Sequence, residues 1–343
     1  MFQLVKKEIP DTTKVEILRS PHCQAKEVDR LLKGHVLFDG WDLECVGRIQ
    51  GTHSEVFDYR GRSKAGDEQL AVKCFSVSSN PAEAAIREYK AIQTVWTLVG
   101  RSLEGLPKPL MVIPEAGLVV TRKLSGISLS RVLARQANCV MAEFRTKNVR
   151  EITRRVGSWL SRFHEATRRP DLAHDTKAFD LDITEQLKGC VRNGLEAAAA
   201  QEISRLASKA SRLVDGKPMP AAGRHGDFLA RNILIDGERI CVVDFENFVE
   251  RDTIYEDLGR FVAHLAILQA RPGYSRSAIN TATRYFLSGY GSSADSKLVD
   301  LFALKAAVRM FAHRGTRRMA RFLGFNYLYT KQLVRLSASV DQR

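Results

Sequence analysis

Within HGDFLARNILI, residues 225–235, an aspartate and an asparagine stand five positions apart, and a second aspartate follows twelve residues later in Val-Val-Asp244-Phe-Glu246. A carboxylate beside a hydroxyl can orient it and take its proton. Amide and carboxylate oxygens are hard donors that suit Mg²⁺, which prefers one or two carboxylates with waters to a full protein cage. Asp227 as proton acceptor, with Asn232 and Asp244 as metal-binding oxygens, is the set that phosphoryl transfer from a magnesium nucleotide requires; Glu246 is an outer acid. That reaction passes through a loose transition state, so positioning and charge stabilisation carry most of the catalysis. Taken singly, Asp227 reads as a loop cap and Asp244 as a strand-end turn. Their joint order argues for chemistry.

This chemistry needs a phosphate-binding half. Gly47-Arg-Ile-Gln-Gly51-Thr52-His-Ser54 lies between two apolar runs and suits a loop whose amides, with the Thr52 or Ser54 hydroxyl, meet phosphate oxygens. It lacks the full G-x-G-x-x-G, and an ordinary hairpin turn explains it equally well. Lys73 ends the run Ala-Val-Lys, where a lysine for the α/β-phosphates belongs, and Glu88, fifteen residues on, can pair with it. Gly51, Thr52, Ser54, Lys73 and Glu88 are therefore expected at a nucleotide, and ATP with Mg²⁺ is the expected cofactor pair.

The elements that must position these residues divide the chain. Residues 1–40 are polar and mixed, with one strand expected at 15–18, and are expected to pack as an extension on the region that follows. Residues 41–123 alternate short apolar runs with glycines: LECVGRIQG, SEVFDYRG, QLAVKCF and LVVTRKL predict an antiparallel sheet. One helix is predicted from Pro81, with Asn80 as its N-cap. Residues 124–343 turn helical: Ile152, Val156, Trp159, Leu160 and Phe163 recur at helical spacing, and 183–215 and 275–335 follow suit. Between these lies one hairpin, ILID-GERICVVDF, turning at Asp236-Gly237. The expected class is α+β, a small antiparallel β-rich N-lobe for the nucleotide and a large, mainly helical C-lobe for catalysis and the acceptor.

Composition sets the outer bounds. A chain of 343 residues, 44% hydrophobic and 27% charged, has apolar surface enough for a folded core. No secretory h-region opens it and no apolar run nears the ~18 residues of a membrane span, so a cytoplasmic protein is expected. The cysteines at 23, 45, 74, 139, 190 and 241 form no C-x-x-C pair, which predicts buried reduced thiols. Net charge is +14 and uneven: residues 301–343 carry nine Lys/Arg against one acid. Such excess suits an anionic substrate, an anionic membrane surface or a solvated helix face, and no nucleic-acid reading motif accompanies it.

With these residues in place, the chain resembles the aminoglycoside phosphotransferase and choline kinase-like family, which shares the protein-kinase-like fold. The likeness runs from about Cys45 to Leu265 and is tightest from His225 to Glu246, where H-G-D-x-x-x-x-N carries glycine in place of the usual protein-kinase arginine. The resemblance implies that the backbone around Thr121, Arg122 and Lys123 binds adenine, and that Trp159–His164 is the family's apolar helix ending in a histidine. His164 is expected to be a satisfied structural histidine, and His225 and Asp257 to support the loop, rather than to do chemistry. Family acceptors are mostly hydroxyl-bearing small molecules. A polycationic antibiotic wants an acidic cleft, which this basic chain does not offer. Arg314, Arg317, Arg318 and Arg321, ahead of Phe322, Leu323, Phe325 and Tyr327, also suit peripheral contact with an anionic inner membrane face, and hence a sugar or lipid-linked glycan as acceptor. A protein Ser/Thr kinase and a non-catalytic nucleotide-binding scaffold are the alternatives; no A-P-E-like segment follows Asp244, and a scaffold need not keep Lys73, Glu88, Asp227, Asn232 and Asp244 together.

Overall fold

The computed structural model describes residues 21–50, 54–64, 66–75, 78–137, 142–292, 294–313 and 336, with side chains placed from 26 onward and, in the helix that opens at Ala142, from 147. They fall into two compact units, one drawn from Met1–Lys90 and Lys108–Lys123, the other from Ala91–Pro107 and Leu124–Arg343. The strand expected at 15–18, the basic stretch 314–335, Gly51 and Thr52 lie outside the described residues.

In the first unit helix α1 (Pro21–Lys33) precedes strands β1 (Asp42–Gln50), β2 (Glu55–Ser63) and β3 (Gly66–Cys74). Helix α2 (Pro81–Val99) and strands β4 (Pro109–Ile113) and β5 (Leu118–Arg122) follow. The strands form one antiparallel sheet in the order β1-β2-β3-β5-β4. Alternation places Phe57 and Tyr59 of β2, Leu70 and Val72 of β3 and Val120 of β5 in one core, which Val28 and Leu32 of α1 and Phe38 complete. Asn80 caps α2 as predicted: its Oδ1 accepts from the Glu83 N–H at 3.3 Å. Strand β4 was not evident from its sequence, because PLMVI opens on a proline; its edge position tolerates one. Cys45 departs from expectation, standing exposed on edge strand β1, whereas Cys74, Cys190 and Cys241 are buried.

The second unit is mainly helical. Strand β6 (Ile127–Ser128) leads into helices α3 (Leu129–Gln136) and α4 (Ala142–Ala166), then β7 (Arg169–Ala173), α5 (Thr176–Arg192) and α6 (Ala197–Arg212). Strands β8 (Pro218–Arg224), β9 (Ile233–Asp236), β10 (Arg239–Val242) and β11 (Val249–Thr253) come next, and α7 (Tyr255–Gln269), α8 (Arg276–Tyr290) and α9 (Ser296–Ala312) close it. The predicted hairpin is β9-β10, turning through Gly237 at φ 58°, and β6 extends it to three strands. A second small sheet, β11-β8-β7, has no clear alternation to announce it. Of the five apolar residues predicted on one helical face, Val156, Trp159, Leu160 and Phe163 of α4 are fully buried. The Trp159 ring stacks on Phe163 at 5.5 Å and on Phe228 at 6.1 Å, so the helix packs directly under the loop that carries Asp227. Helices α4 and α8 approach backbone to backbone. A Cβ on Gly157 would sit 2.0 Å from the Phe286 carbonyl oxygen, and one on Gly289 equally close to that of Arg154. Among the described residues no helix is long and apolar enough to cross a membrane.

Candidate active site

Strand β8 ends at Arg224, and the next eight residues form a loop before β9 starts at Ile233. Gly226 shows why glycine is needed there. Its φ is 81°, and a Cβ would lie 2.3 Å from the Asn247 carbonyl oxygen, so a side chain would face both strain and collision. Asp257, fully buried in the first turn of α7, accepts from the His225 N–H at 2.7 Å and the Gly226 N–H at 2.9 Å. His164 Nε2 lies 3.3 Å from the same carboxylate, and His164 Nδ1 is 2.9 Å from the Tyr290 hydroxyl. Burial alone would push the Asp257 carboxyl up, but the His164 hydrogen bond, the nearby imidazoles and the Gly226 amide together hold it below the ordinary carboxylate range.

His225 is fixed by its neighbours. The Asp227 N–H donates to Nδ1 at 3.1 Å, which makes Nδ1 the acceptor and leaves Nε2–H to donate to the Val243 carbonyl at 3.1 Å. The ring thus ties the loop to the residue before Asp244. Asp227 itself is buried and accepts from Asn232 Nδ2 at 2.8 Å, Arg231 Nη2 at 2.5 Å and Arg260 Nε at 3.1 Å, with a further contact from Arg260 Nη2. Asn232 Nδ2 also donates to the Asp227 carbonyl at 3.0 Å, so the amide's donors are turned inward. Its Oδ1 takes no part in those contacts. Ile233 pairs with Val242, and the Val243 N–H donates to the Asn232 carbonyl at 3.0 Å; one end of the hairpin therefore carries both Asn232 and Asp244. Asp244 holds φ at 72°, the one non-glycine positive φ among the described residues.

In the first unit Lys73 Nζ and Glu88 Oε2 are paired at 2.5 Å. Thr121 is buried in β5. Arg122 pairs with Glu68 and Lys123 with Asp58, the latter at 2.9 Å. The Arg122 and Lys123 amides donate to the carbonyls of Lys108 and Gln69. Ser54 directly precedes β2.

Two contributors were missed from sequence, Arg231 and Arg260. Arg231 stands four residues after Asp227 inside the quoted motif, and its charge was the available signal. Arg260 offered none: it comes from α7, and only the fold brings it to Asp227.

Residues 115–273 match the sequence model of the phosphotransferase enzyme family, the stretch that holds the 225–232 loop, Asp244, Asp257 and Arg260. Over this segment the chain is similar to that family. None of the curated proteins matches the chain. A glucosamine kinase in complex with glucosamine, ADP and inorganic phosphate is 18% identical, with a TM-score of 0.58, and the alignment covers 88% of this chain and 83% of that one. A choline/ethanolamine kinase family protein from Mesorhizobium loti is 17% identical at a TM-score of 0.56, covering 93% of this chain and all of that one (100%). An aminoglycoside phosphotransferase in a ternary complex with streptomycin and ATP is 12% identical at 0.53, covering 92% and 97%. At such identities the likeness speaks for the fold: an antiparallel β-rich N-terminal region and a helical C-terminal region, as in kinase-like proteins.

Three histidines of the second unit are held neutral. Burial pushes His174, His225 and His264 down, His264 to about 4, where Arg271 and Arg231 add to the effect. A histidine depressed in the folded state takes up its proton on unfolding. Stability is therefore retained above the unfolded histidine pKa of ~6.5 and falls below it, by up to ~1.4 kcal/mol per pH unit for each group. Urea midpoints should drop steadily from pH 7 to pH 5; a flat midpoint across that window would contradict the neutral assignment.

Proposed function

We propose that the protein transfers the γ-phosphoryl group of ATP to a hydroxyl of a small molecule or glycan, with Asp227 as the group that orients the hydroxyl and receives its proton. The observation that carries this reading is the anchoring of Asp227. Its carboxylate is held from one side by Asn232 and from the other by Arg260, on a loop whose amides are clamped by Asp257. A base held this way needs little reorganisation during reaction. The acceptor oxygen forms a bond to the γ-phosphorus as the bond to the β,γ-bridging oxygen breaks. ADP leaves, and the hydroxyl proton passes to an Asp227 carboxylate oxygen.

Asn232 Oδ1 and the Asp244 carboxylate suit Mg²⁺, because both are hard oxygens and the Asn232 amide nitrogen is already committed to Asp227. Bound there, the ion would neutralise charge on the phosphates. Lys73, paired with Glu88, would act on the nucleotide's phosphates together with the Ser54 hydroxyl; Gly51 and Thr52, expected there from the sequence, lie outside the described residues. The carbonyls of Thr121, Arg122 and Lys123 would meet the adenine edge. Against a protein acceptor, β11 begins at Val249, five residues after Asp244, and pairs with β8, and α7 follows from Tyr255. That leaves no length for the segment on which protein kinases seat a peptide.

Asp244→Ala is expected to weaken ATP binding in Mg²⁺ by about tenfold or more, since a charge-assisted contact contributes roughly 1.5–3 kcal/mol. Titration without divalent ion should show little difference between variant and parent. Equal Mg²⁺-dependent affinity in both proteins would remove Asp244 from the metal.

A further inference from the structure

A cavity of about 350 Å³ opens in the second unit beside Gly226, and its wall is cationic. Arg224 enters from the end of β8, Arg260 from α7, and Lys305 and Arg309 from successive turns of α9; Glu256 is the single acid in the lining. Arg260 is also the residue that grips Asp227, so one side chain links the cavity wall to the group assigned to the acceptor's proton.

The four cations are not equivalent. Lys305 is engaged: Glu256 at 2.7 Å and Asp182 at 3.3 Å pair with it, and it rests over the Phe179 and Phe302 rings. Arg260 is committed to Asp227. Arg224 donates through Nη1 to Asp252 at 2.5 Å, yet its Nε is buried without a hydrogen-bond partner. Arg309 has no carboxylate partner among the described residues, although Glu256 lines the same cavity. Guanidinium groups recognise carboxylates and phosphates through paired N–H donors, and leaving such donors dry and unpaired costs stability. A cavity this size is at the small end for ligand sites, enough for one ring-sized unit.

From this wall we infer that the acceptor is anionic: a hydroxyl-bearing unit whose carboxylate or phosphate is held by Arg309 and Arg224 while its hydroxyl faces Asp227. This inference rests on the phosphotransferase reading and narrows it. Free sugar acids and sugar phosphates share this chemistry with an acidic sugar at the end of a glycan.

The test splits a metabolite extract on an anion-exchange resin into retained and unretained pools. Each is then incubated with γ-labelled ATP, Mg²⁺ and the full-length protein, or with Asp227→Asn, Arg309→Gln or Arg309→Lys. In parallel, glucuronate and glucose 6-phosphate are titrated calorimetrically against the parent and Arg309→Gln. The expected result is Asp227-dependent label from the retained pool. Arg309→Gln should raise the acceptor KM at least tenfold while kcat changes less than threefold, and Arg309→Lys should recover part of the loss. Label arising mainly from the unretained pool would overturn the anionic acceptor and leave the phosphotransferase reading standing, as would an unchanged KM in Arg309→Gln. No label from either pool, with Arg309-dependent binding of the two probes, would keep the anion site and sink the transfer reaction. No label and no such binding would sink both. Repeating the reaction with lipid-extracted material in the retained pool separates a free acid from a glycan-borne one.

Discussion

Asp227→Asn should lower phosphoryl transfer by about 10²–10⁴-fold while ATP affinity changes by less than about threefold. The substitution keeps the shape of the side chain and can keep a contact to Asn232. It removes the charge that pairs with Arg231 and Arg260, and with it the site for the hydroxyl proton. Folding should survive, because Arg231 is largely exposed and water can take over its partner's role. The two readouts separate a chemical role from a structural one. A variant that binds ATP normally and transfers at the parental rate would remove Asp227 from the reaction. Loss of both, together with a lowered melting temperature, would make it a structural residue of the loop.

Asp257→Ala should be the costliest single change in the second unit, about 3–5 kcal/mol in the free energy of unfolding. The carboxylate is fully buried and satisfies two consecutive loop amides and a histidine, and of these His225 and His164 are buried with it. Its removal strands two N–H groups and frees Gly226 from its geometry, so transfer should fall as well, although Asp257 touches no reacting atom. Because its folded pKa lies below the usual carboxylate value, its contribution is fully present above pH ~4 and is lost only as pH falls further through the folded value. The cost of Asp257→Ala should therefore be constant from pH 5 to pH 8 in urea titrations. A cost below 1 kcal/mol would show that the clamp does not hold the loop.

Much of this was legible in the residues themselves. The hairpin followed from Asp236-Gly237 and its branched apolar flanks, and α4 from its buried stripe, because period and turn chemistry act over neighbours in the chain. The family segment followed from H-G-D-x-x-x-x-N and Asp244-Phe245-Glu246, whose spacing is set by one loop and one hairpin. What escaped was non-local. Arg260 reaches Asp227 from thirty-three residues away. Strands β7, β8 and β11 are irregular in burial, with register shifts between Val249 and Asp252 and between Arg169 and Leu172, so no alternation marks them. The cationic cavity is assembled from three elements, none of which is basic enough alone to stand out. Cys45 misled because an apolar run implies a strand but does not say which strand lies at the edge.

The left-handed backbone at Asp244 carries an evolutionary consequence. A residue with a side chain gives up about 1–2 kcal/mol to sit there, where glycine would give up almost nothing. On backbone grounds alone, a selection for heat tolerance would thus favour Asp244→Gly, at the loss of the carboxylate proposed for the metal. If Asp244 holds the metal as proposed, a stabilised variant found by such a screen would be the hardier protein and the idle one.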